Sequence, residues 1–268
     1  MSKILCIPDV HGRKFWRQAI ADNIRNVDKI IFLGDYLDPY QNEIDEYQET
    51  MECNDFYDVE GLSNMLNDII SLKKNDPNKY ILLTGNHTDG YIWNDFNAPT
   101  RKDKINYNTY HNIFLENLNL FNLVWIEDNV IFSHAGLIKE WCELVWRYFE
   151  YPISEFHSIM DVACLLNDIS LPEFEEKHIY LISETPLRRN GWALNGSCEW
   201  ADITEHVNMR ASKENIVPKG EDGIYQIFGH TQLKKELITN KWACLDCRKP
   251  FIIDTITHNI EDGSNSSL

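Results

Sequence analysis

The 268-residue sequence lacks long hydrophobic runs and lacks an excess of basic charge. Its longest apolar runs are far shorter than the roughly 20 residues that a membrane-spanning helix needs. Lys and Arg number 25 against 42 Asp and Glu, so the formal net charge is −17. This charge repels phosphate backbones and disfavours a protein that coats nucleic acid. Because 43% of the residues are hydrophobic, the chain is too apolar for disorder, and we expect a soluble globular protein without a membrane partner.

The sequence also lacks the cysteine pattern of a secreted disulfide-rich protein. Its seven cysteines are an odd number and are scattered, which favours reduced thiols. Cys244 and Cys247 form the one close pair, and without a second pair at matching spacing we interpret them as ordinary thiols. Residues 3–7 already predict a core strand, which leaves no room before them for a signal peptide. We therefore expect a cytoplasmic protein.

Short apolar runs without alternation predict strands that are buried on both faces. They lie at residues 3–7, 29–33, 80–83, 130–132 and 224–228. Apolar residues at helical spacing predict helices over residues 13–25, 59–73, 105–118 and 141–149. Two further strand candidates are residues 179–183 and 243–245. Strands that alternate with helices indicate an α/β fold.

The sequence contains no linker rich in Pro, Gly or Ser, so we expect a single domain over residues 1–258. Within it, residues 138–200 are interpreted as a helical or irregular insertion or cap. The polar composition of residues 259–268 predicts a tail, in which residues 261–268 have no fixed structure.

Polar side chains with metal-binding chemistry follow each of the five predicted strands. They are Asp9, His11, Asp35, Asn86, His134 and His230. Because the carboxyl ends of strands in an open α/β sheet meet at one crevice, we expect these side chains to converge. Oxygen and imidazole donors suit Mn²⁺, iron or Zn²⁺ better than Ca²⁺. Each residue alone could cap a helix or end a strand, but their order along the chain favours a shared metal site.

This order of motifs resembles that of the calcineurin-like metallophosphoesterases, whose pattern is Asp-x-His, Gly-Asp-x-x-Asp, Gly-Asn-His-Glu/Asp, His and Gly-His-x-His. The resemblance runs from Lys3 to Thr231 and implies a sandwich of two mixed sheets flanked by helices, with inserted helical segments. It further implies that two divalent cations bind, most simply two Mn²⁺, with iron and Zn²⁺ as alternatives. The first cation would be held by Asp9, His11 and Asp35, and the second by Asp35, Asn86, His134 and His230.

The resemblance also implies a mechanism. A hydroxide between the cations would attack phosphorus in line, since two adjacent cations lower the pKa of water. His87 would protonate the leaving oxygen, and Asp38 would hold His87 in its cationic form. A buried neutral role for His87, and a turn role for Asp38 before Pro39, remain the structural alternatives.

Several residues depart from the common pattern of the family. Gln232 stands where many members have a second histidine, which resembles the branch of phosphoprotein phosphatases and symmetrical diadenosine tetraphosphatases. Within that branch, Arg-Gly normally follows Gly-Asp-x-x-Asp, but Pro39 and Tyr40 stand here. Thr88 replaces the usual glutamate. A phosphate-binding arginine must then come from elsewhere.

Three arginines are candidates for binding phosphate. Arg188 and Arg189 lie where the branch carries a second arginine, and Arg13 follows the first motif directly. A solvated turn is the structural alternative for Arg188 and Arg189. Residues 35–60 contain ten acids and no Lys or Arg. This segment is either a rim that repels long polyanions or a solvated acidic surface.

The leading functional hypothesis is a metal-dependent hydrolase of a phosphomonoester, similar to a serine/threonine phosphatase. Its substrate would be a phosphorylated small molecule, a nucleotide or a phosphopeptide. The second hypothesis is hydrolysis of a dinucleoside polyphosphate, with Trp192, Trp200 or Tyr40 stacking on a base. The third is a metal-containing scaffold without turnover, against which the intact His87 and Asp38 argue.

Overall fold

The computed structural model describes residues 2–42, 58, 61–93, 100–207 and 217–264, without the side chains of residues 175–179. The chain forms two compact units. Unit 1 contains Met1–Phe121 and Arg248–Leu268, and unit 2 contains Asn122–Cys247. A single domain over residues 1–258, with a cap at 138–200, stays a prediction. Most of the acidic segment 35–60 lies outside the described residues.

Unit 1 is built on a six-stranded mixed sheet with the order β11-β10-β1-β2-β3-β4. The strands are β1 Lys3–Ile7, β2 Lys29–Phe32, β3 Tyr80–Leu83, β4 Phe121–Asn122, β10 Phe251–Asp254 and β11 Ile260–Asp262. Strands β1, β2 and β3 pair in parallel, and β10 pairs antiparallel with β1. The parallel strands are buried, as their continuous apolar runs predicted.

Strand β11 corrects the prediction of an unstructured tail. Ile260–Asp262 pairs antiparallel with β10, although the segment is polar. The pairing depends on backbone hydrogen bonds at the edge of the sheet, where polar side chains can face water, and composition therefore did not reveal it. Residues 265–268 lie outside the described residues.

Within the described residues, four helices and a short 3₁₀ turn accompany the sheet of unit 1. The helices are α1 Phe15–Asn23, α2 Leu62–Asn75, α3 Asn86–Ile92 and α4 Tyr107–Glu116, and the turn is Leu118–Leu120. Helix α2 buries the apolar stripe that its spacing predicted, from Leu62 to Ile70. Helix α3 was not predicted, and all seven of its residues are buried.

Unit 2 is built on a five-stranded mixed sheet with the order β5-β6-β7-β9-β8. Its strands are β5 Val124–Glu127, β6 Val130–Ser133, β7 Tyr225–Phe228, β8 Leu237–Ile238 and β9 Trp242–Cys244. Strands β6, β7 and β9 are parallel neighbours. Two mixed sheets with helices confirm the predicted α/β class.

Helices of unit 2 fill much of residues 138–200. They are α5 Lys139–Tyr148, α6 Ile159–Asp168 and α7 Leu171–Ile182, and 3₁₀ turns cover Ile153–Glu155, Leu187–Arg189 and Ile203–His206. The strand predicted at 179–183 is wrong, because most of it lies in α7. A short apolar run does not distinguish strand from helix. Among the described residues, no helix has the length and apolarity to cross a bilayer.

Candidate metal centre

The loops after β1 and β2 of unit 1 are joined by backbone hydrogen bonds. The amide of His11 donates to the carbonyl of Asp35 at 2.8 Å, and the amide of Gly12 donates to Tyr36 at 2.9 Å. His11 and Asp35 have φ angles of 44° and 47°. This left-handed conformation is costly for residues with a Cβ and is typical of functional loops. Both loops therefore hold predicted metal ligands in a defined, strained backbone.

His11 presents its outer ring nitrogen to two buried carboxylates. Its Nδ1 lies 2.8 Å from the carbonyl oxygen of Leu37, which can only accept, so Nδ1 carries a proton. Its Nε2 lies 3.7 Å from Oδ2 of Asp35 and 4.0 Å from Oδ2 of Asp9. Burial, and then the positive charge of His87, lower the pKa of His11 well below its usual value. A neutral histidine fixed by a backbone carbonyl is the form that binds metals.

Asp35 connects these loops to helix α3. Its Oδ1 accepts the backbone amide of His87 at 2.9 Å, and its other oxygen faces His11. One donor atom each from His11, Asp35 and His87 lie within 4.8 Å of one another, and all three residues are buried. Asn86, the first residue of α3, is 4% exposed. Oxygen and imidazole donors at this spacing fit a divalent transition-metal cation.

His87 and Asp38 form a buried pair in unit 1. Nδ1 of His87 lies 2.7 Å from Oδ2 of Asp38. The second carboxylate oxygen, Oδ1, accepts the hydroxyl of Tyr91 at 2.5 Å. Asp38 has a φ angle of 60°. The predicted pair is thus hydrogen-bonded, and its role in proton transfer stays a prediction.

Two arginines of unit 1 lie near these loops. Arg13 is 5% exposed and donates to the carbonyl of Asp9 at 3.2 Å. Arg101 is exposed, donates to the carbonyl of Asp38 at 3.0 Å, and places its guanidinium carbon 3.7 Å from the ring centroid of Tyr40. Stacking on an aromatic face restricts a flexible guanidinium. Sequence analysis did not identify Arg101, which belongs to no motif.

In unit 2, the residues after β6 and β7 bring two buried histidines together. Nε2 of His134 lies 3.2 Å from Nδ1 of His230, and their ring centroids are 5.0 Å apart. The amide of Gly229 donates to the carbonyl of His134 at 2.7 Å. His230 has a φ angle of 63°. Two imidazole nitrogens this close suit a shared proton or a shared cation.

The loop that carries His134 is supported by a histidine that sequence analysis missed. Nε2 of His206 lies 3.0 Å from the carbonyl oxygen of Ala135. A Cβ on Gly136, whose φ is 83°, would lie 2.5 Å from the His206 ring, so a larger residue there would collide with it. Burial lowers the pKa of His206 to about 4. His206 is therefore neutral at pH 7.

The two predicted phosphate-binding arginines of unit 2 have protein partners. Nε of Arg189 lies 2.9 Å from Oδ2 of Asp202, and its terminal nitrogen donates to Thr231 at 2.8 Å. Arg188 donates to the hydroxyl of Thr204. Of the proposed base-stacking residues, Trp192 is 63% exposed and Trp200 is 5% exposed. Tyr40 of unit 1 carries Arg101 on its ring.

Comparison with known families identifies the chain. The sequence model of calcineurin-like phosphoesterases matches residues 2–233. The chain belongs to the calcineurin-like phosphoesterase family. The prediction of a metallophosphoesterase, and hence a hydrolase of a family that uses divalent metals, is confirmed. A search of curated protein sequences found no match to this calcineurin-like phosphoesterase.

Solved structures share the fold of this calcineurin-like phosphoesterase at low identity. A cold-active protein-tyrosine phosphatase of a psychrophilic Shewanella species is 13% identical, with a TM-score of 0.54 over 98% of this chain and 80% of that chain. A protein serine/threonine phosphatase from Saccharomyces cerevisiae, with similarity to human phosphatase PP5, is 14% identical, with a TM-score of 0.50 over 97% and 79%. A putative diadenosine tetraphosphatase reaches a TM-score of only 0.39 at 13% identity, over 97% and 92%, and supports no argument.

Proposed function

We propose that this calcineurin-like phosphoesterase hydrolyses a phosphomonoester with two bound divalent cations, most simply Mn²⁺. The observation that carries the proposal is the pair of buried carboxylates, Asp9 and Asp35, that face Nε2 of the buried His11 in a chain of this family. A hydrolase that works on such esters needs both a cation site and an acid for the leaving oxygen. Unit 1 contains candidates for both.

We assign the metal ligands as the resemblance implies. Asp9, His11 and Asp35 would hold one cation, and Asp35, Asn86, His134 and His230 the other. When bound, such a pair activates water at neutral pH and neutralises charge on the substrate oxygens. The carbonyl of Leu37 keeps the proton of His11 on Nδ1, so that Nε2 is left as the ligand atom.

His87 is proposed to protonate the leaving oxygen. Because its Nδ1 is directed at Asp38, its Nε2 is the atom that can face a substrate. The carboxylate of Asp38 stabilises the cationic form of the ring and fixes its orientation. This assignment predicts that Asp38 acts on His87 and makes no contact with substrate.

Binding of the phosphate group requires a cation from the protein. Arg13, Arg188 and Arg189 remain proposed for this role, and we add Arg101. Arg101 is exposed, is fixed over Tyr40, and is bonded to the carbonyl of Asp38, the partner of His87. A guanidinium held in one orientation loses less freedom when it binds an oxyanion.

The proposed substrate is small or peptidic. The net charge of −17 opposes long polyanions. The similar solved structures are named as protein-tyrosine and serine/threonine phosphatases, so phosphopeptides and aryl phosphates are the first substrates to test. A cytoplasmic location remains part of the proposal and derives from the sequence expectation alone.

A substrate panel with Mn²⁺-loaded protein tests the proposal. We expect release of phosphate from p-nitrophenyl phosphate or phosphopeptides, and loss of that activity after chelation. Faster cleavage of a dinucleoside polyphosphate would replace this function with the phosphoanhydride alternative. Metal-loaded protein that hydrolyses none of these would favour a scaffold and contradict the proposal.

A further inference from the structure

Tyr91 is a buried residue whose hydroxyl has no part in the proposed function so far. It lies on α3, is 0% exposed, and donates to Oδ1 of Asp38. The ring packs among Tyr107, Tyr110 and Phe114, with centroids 5.5 to 6.3 Å away. Ring packing explains a buried aromatic residue, but a phenylalanine would serve it equally well.

The direction of the hydrogen bonds at Tyr91 is determined by their partners. The backbone amide of Asp103 lies 2.7 Å from the Tyr91 oxygen and can only donate to it. The tyrosine proton is thereby left to point at Asp38. Burial, and then the charge of Asp38, raise the pKa of Tyr91 well above its usual value, so the hydroxyl keeps its proton. Both oxygens of Asp38 are therefore occupied, one by Tyr91 and one by His87.

The segment that contains Arg101 and Asp103 holds Asp38 in two ways, once directly and once through Tyr91. Arg101 donates to the carbonyl of Asp38, and Asp103, two residues later, orients Tyr91. These contacts oppose the release of a main chain that has a φ angle of 60° at Asp38. Because the main chain and both carboxylate oxygens of Asp38 are hydrogen-bonded, its carboxylate can be presented to His87 in one orientation only.

We propose that Tyr91 is a positioning residue for proton transfer: its hydroxyl holds Asp38 in the orientation that directs Nε2 of His87 towards the leaving oxygen. The inference rests on the proposed function, because it requires His87 to act as an acid. It concerns the orientation of the acid and does not involve the cations. Tyr91 makes no contact with substrate in this account.

Tyr91→Phe tests the inference, because it keeps the ring and removes only the hydroxyl. An ester with a poor leaving group, such as phenyl phosphate, depends strongly on protonation, whereas 2,4-dinitrophenyl phosphate depends on it little. With metal content equal to that of the parent, we expect kcat to fall about tenfold for phenyl phosphate and less than about twofold for the dinitrophenyl ester. Tyr110→Phe is the matched control, since this tyrosine packs on Tyr91, and it should change neither rate.

An equal loss on both esters, or no loss on either, would overturn the inference while leaving the proposed function intact. If the parent protein hydrolyses neither these esters nor any substrate of the panel above, the proposed function and the inference fail together. A double variant, Tyr91→Phe with Asp38→Asn, gives a second test. Because Tyr91 acts through Asp38, the double variant should be no slower than Asp38→Asn alone, and additive losses would contradict this.

A readout without turnover keeps the inference testable if activity is low. In zinc-loaded protein, the Nδ1 proton of His87 that is bonded to Asp38 should give a downfield proton resonance. We expect Tyr91→Phe to shift or broaden that resonance and Tyr110→Phe to leave it in place. An unchanged resonance in folded Tyr91→Phe would overturn the inference.

Discussion

The two units hold different metal-binding chemistry. Unit 1 holds buried carboxylates beside imidazoles, with Asp9 and Asp35 both facing Nε2 of His11. Unit 2 holds two imidazoles, His134 and His230, in contact with each other. Carboxylates bring negative charge to a cation, whereas neutral imidazoles bring only a dipole and a lone pair. The comparison teaches that most of the affinity for cations should reside in unit 1.

The units also differ in how they hold the loops that carry the proposed ligands. In unit 1, backbone hydrogen bonds join the loops of His11 and Asp35. In unit 2, the amide of Gly229 likewise donates to the carbonyl of His134, and the side chain of His206 adds a hydrogen bond to the carbonyl of Ala135. A single side chain can be replaced without changing the backbone, so the unit 2 loop should be the easier one to perturb by mutation or by pH.

The largest expected effect comes from removing a negative charge from the donor cluster of unit 1. Asp35→Asn removes the carboxylate that faces His11 while keeping an acceptor for the amide of His87. We expect kcat/KM to fall at least about 10³-fold, or about 4 kcal/mol of transition-state stabilisation, with loss of bound metal. His230→Asn, the matched change in unit 2, should lose less bound metal than Asp35→Asn. The comparison is wrong if the unit 2 variant loses more cation than Asp35→Asn.

The next effect separates chemistry from metal binding within unit 1. His87→Ala should leave metal content at the parent level, because His87 is proposed as an acid and not as a ligand. It should lower kcat about 10²-fold on poor leaving groups. Elemental analysis together with steady-state kinetics measures both quantities. Loss of a cation in this variant would instead make His87 a ligand.

The sequence motifs located the proposed donors of both units, whose role as ligands stays a prediction, but they did not indicate the residues that hydrogen-bond to the donor loops. Asp9, His11, Asp35, Asn86, His134 and His230 directly follow apolar runs, and the predicted bounds of β1 and β3 match the structure. Buried parallel strands have a strong apolar signal, so the loops that follow them can be located. The strand predicted at 179–183 failed because its apolar run was too short to exclude a helix.

Supporting residues are harder to predict because distant parts of the chain create their contacts. Arg101 is 63 residues from Asp38, and His206 is 71 residues from Ala135. For Tyr91 the sequence contains one usable signal, which is its spacing from His87. Tyr91 lies four residues after His87 on α3, so the two residues share a face of that helix. That signal is visible only once α3 is known to be a helix, and α3 was not predicted.

A pH experiment sharpens the contrast in how the loops are held. The folded pKa of His206, about 4, lies below its usual value of 6.5. Between these values the unfolded chain binds a proton and the folded chain does not, so the free energy of unfolding falls as the pH falls. From pH 7 to pH 5 we expect a loss of about 2 kcal/mol from this residue. Urea unfolding of His206→Asn should show a shallower pH dependence than that of the exposed-residue control, His157→Asn. Equal slopes would contradict the account.

The smallest effect concerns substrate binding beside Asp38. Arg101→Ala should raise KM for a phosphomonoester, and the inhibition constant of inorganic phosphate, by about tenfold with little change in kcat. Lys104→Ala removes an exposed cation three residues later and should change neither constant. An unchanged KM in Arg101→Ala would contradict this assignment and would leave Arg13, Arg188 and Arg189 as the candidates for binding the phosphate group.

The most direct test of the central claim is the metal content of the purified protein, measured together with phosphatase activity before and after chelation. The account predicts about two divalent cations per chain, loss of activity when they are removed, and recovery when Mn²⁺ is restored. Protein that never takes up divalent cations, or that hydrolyses phosphate esters equally well after chelation, would contradict it.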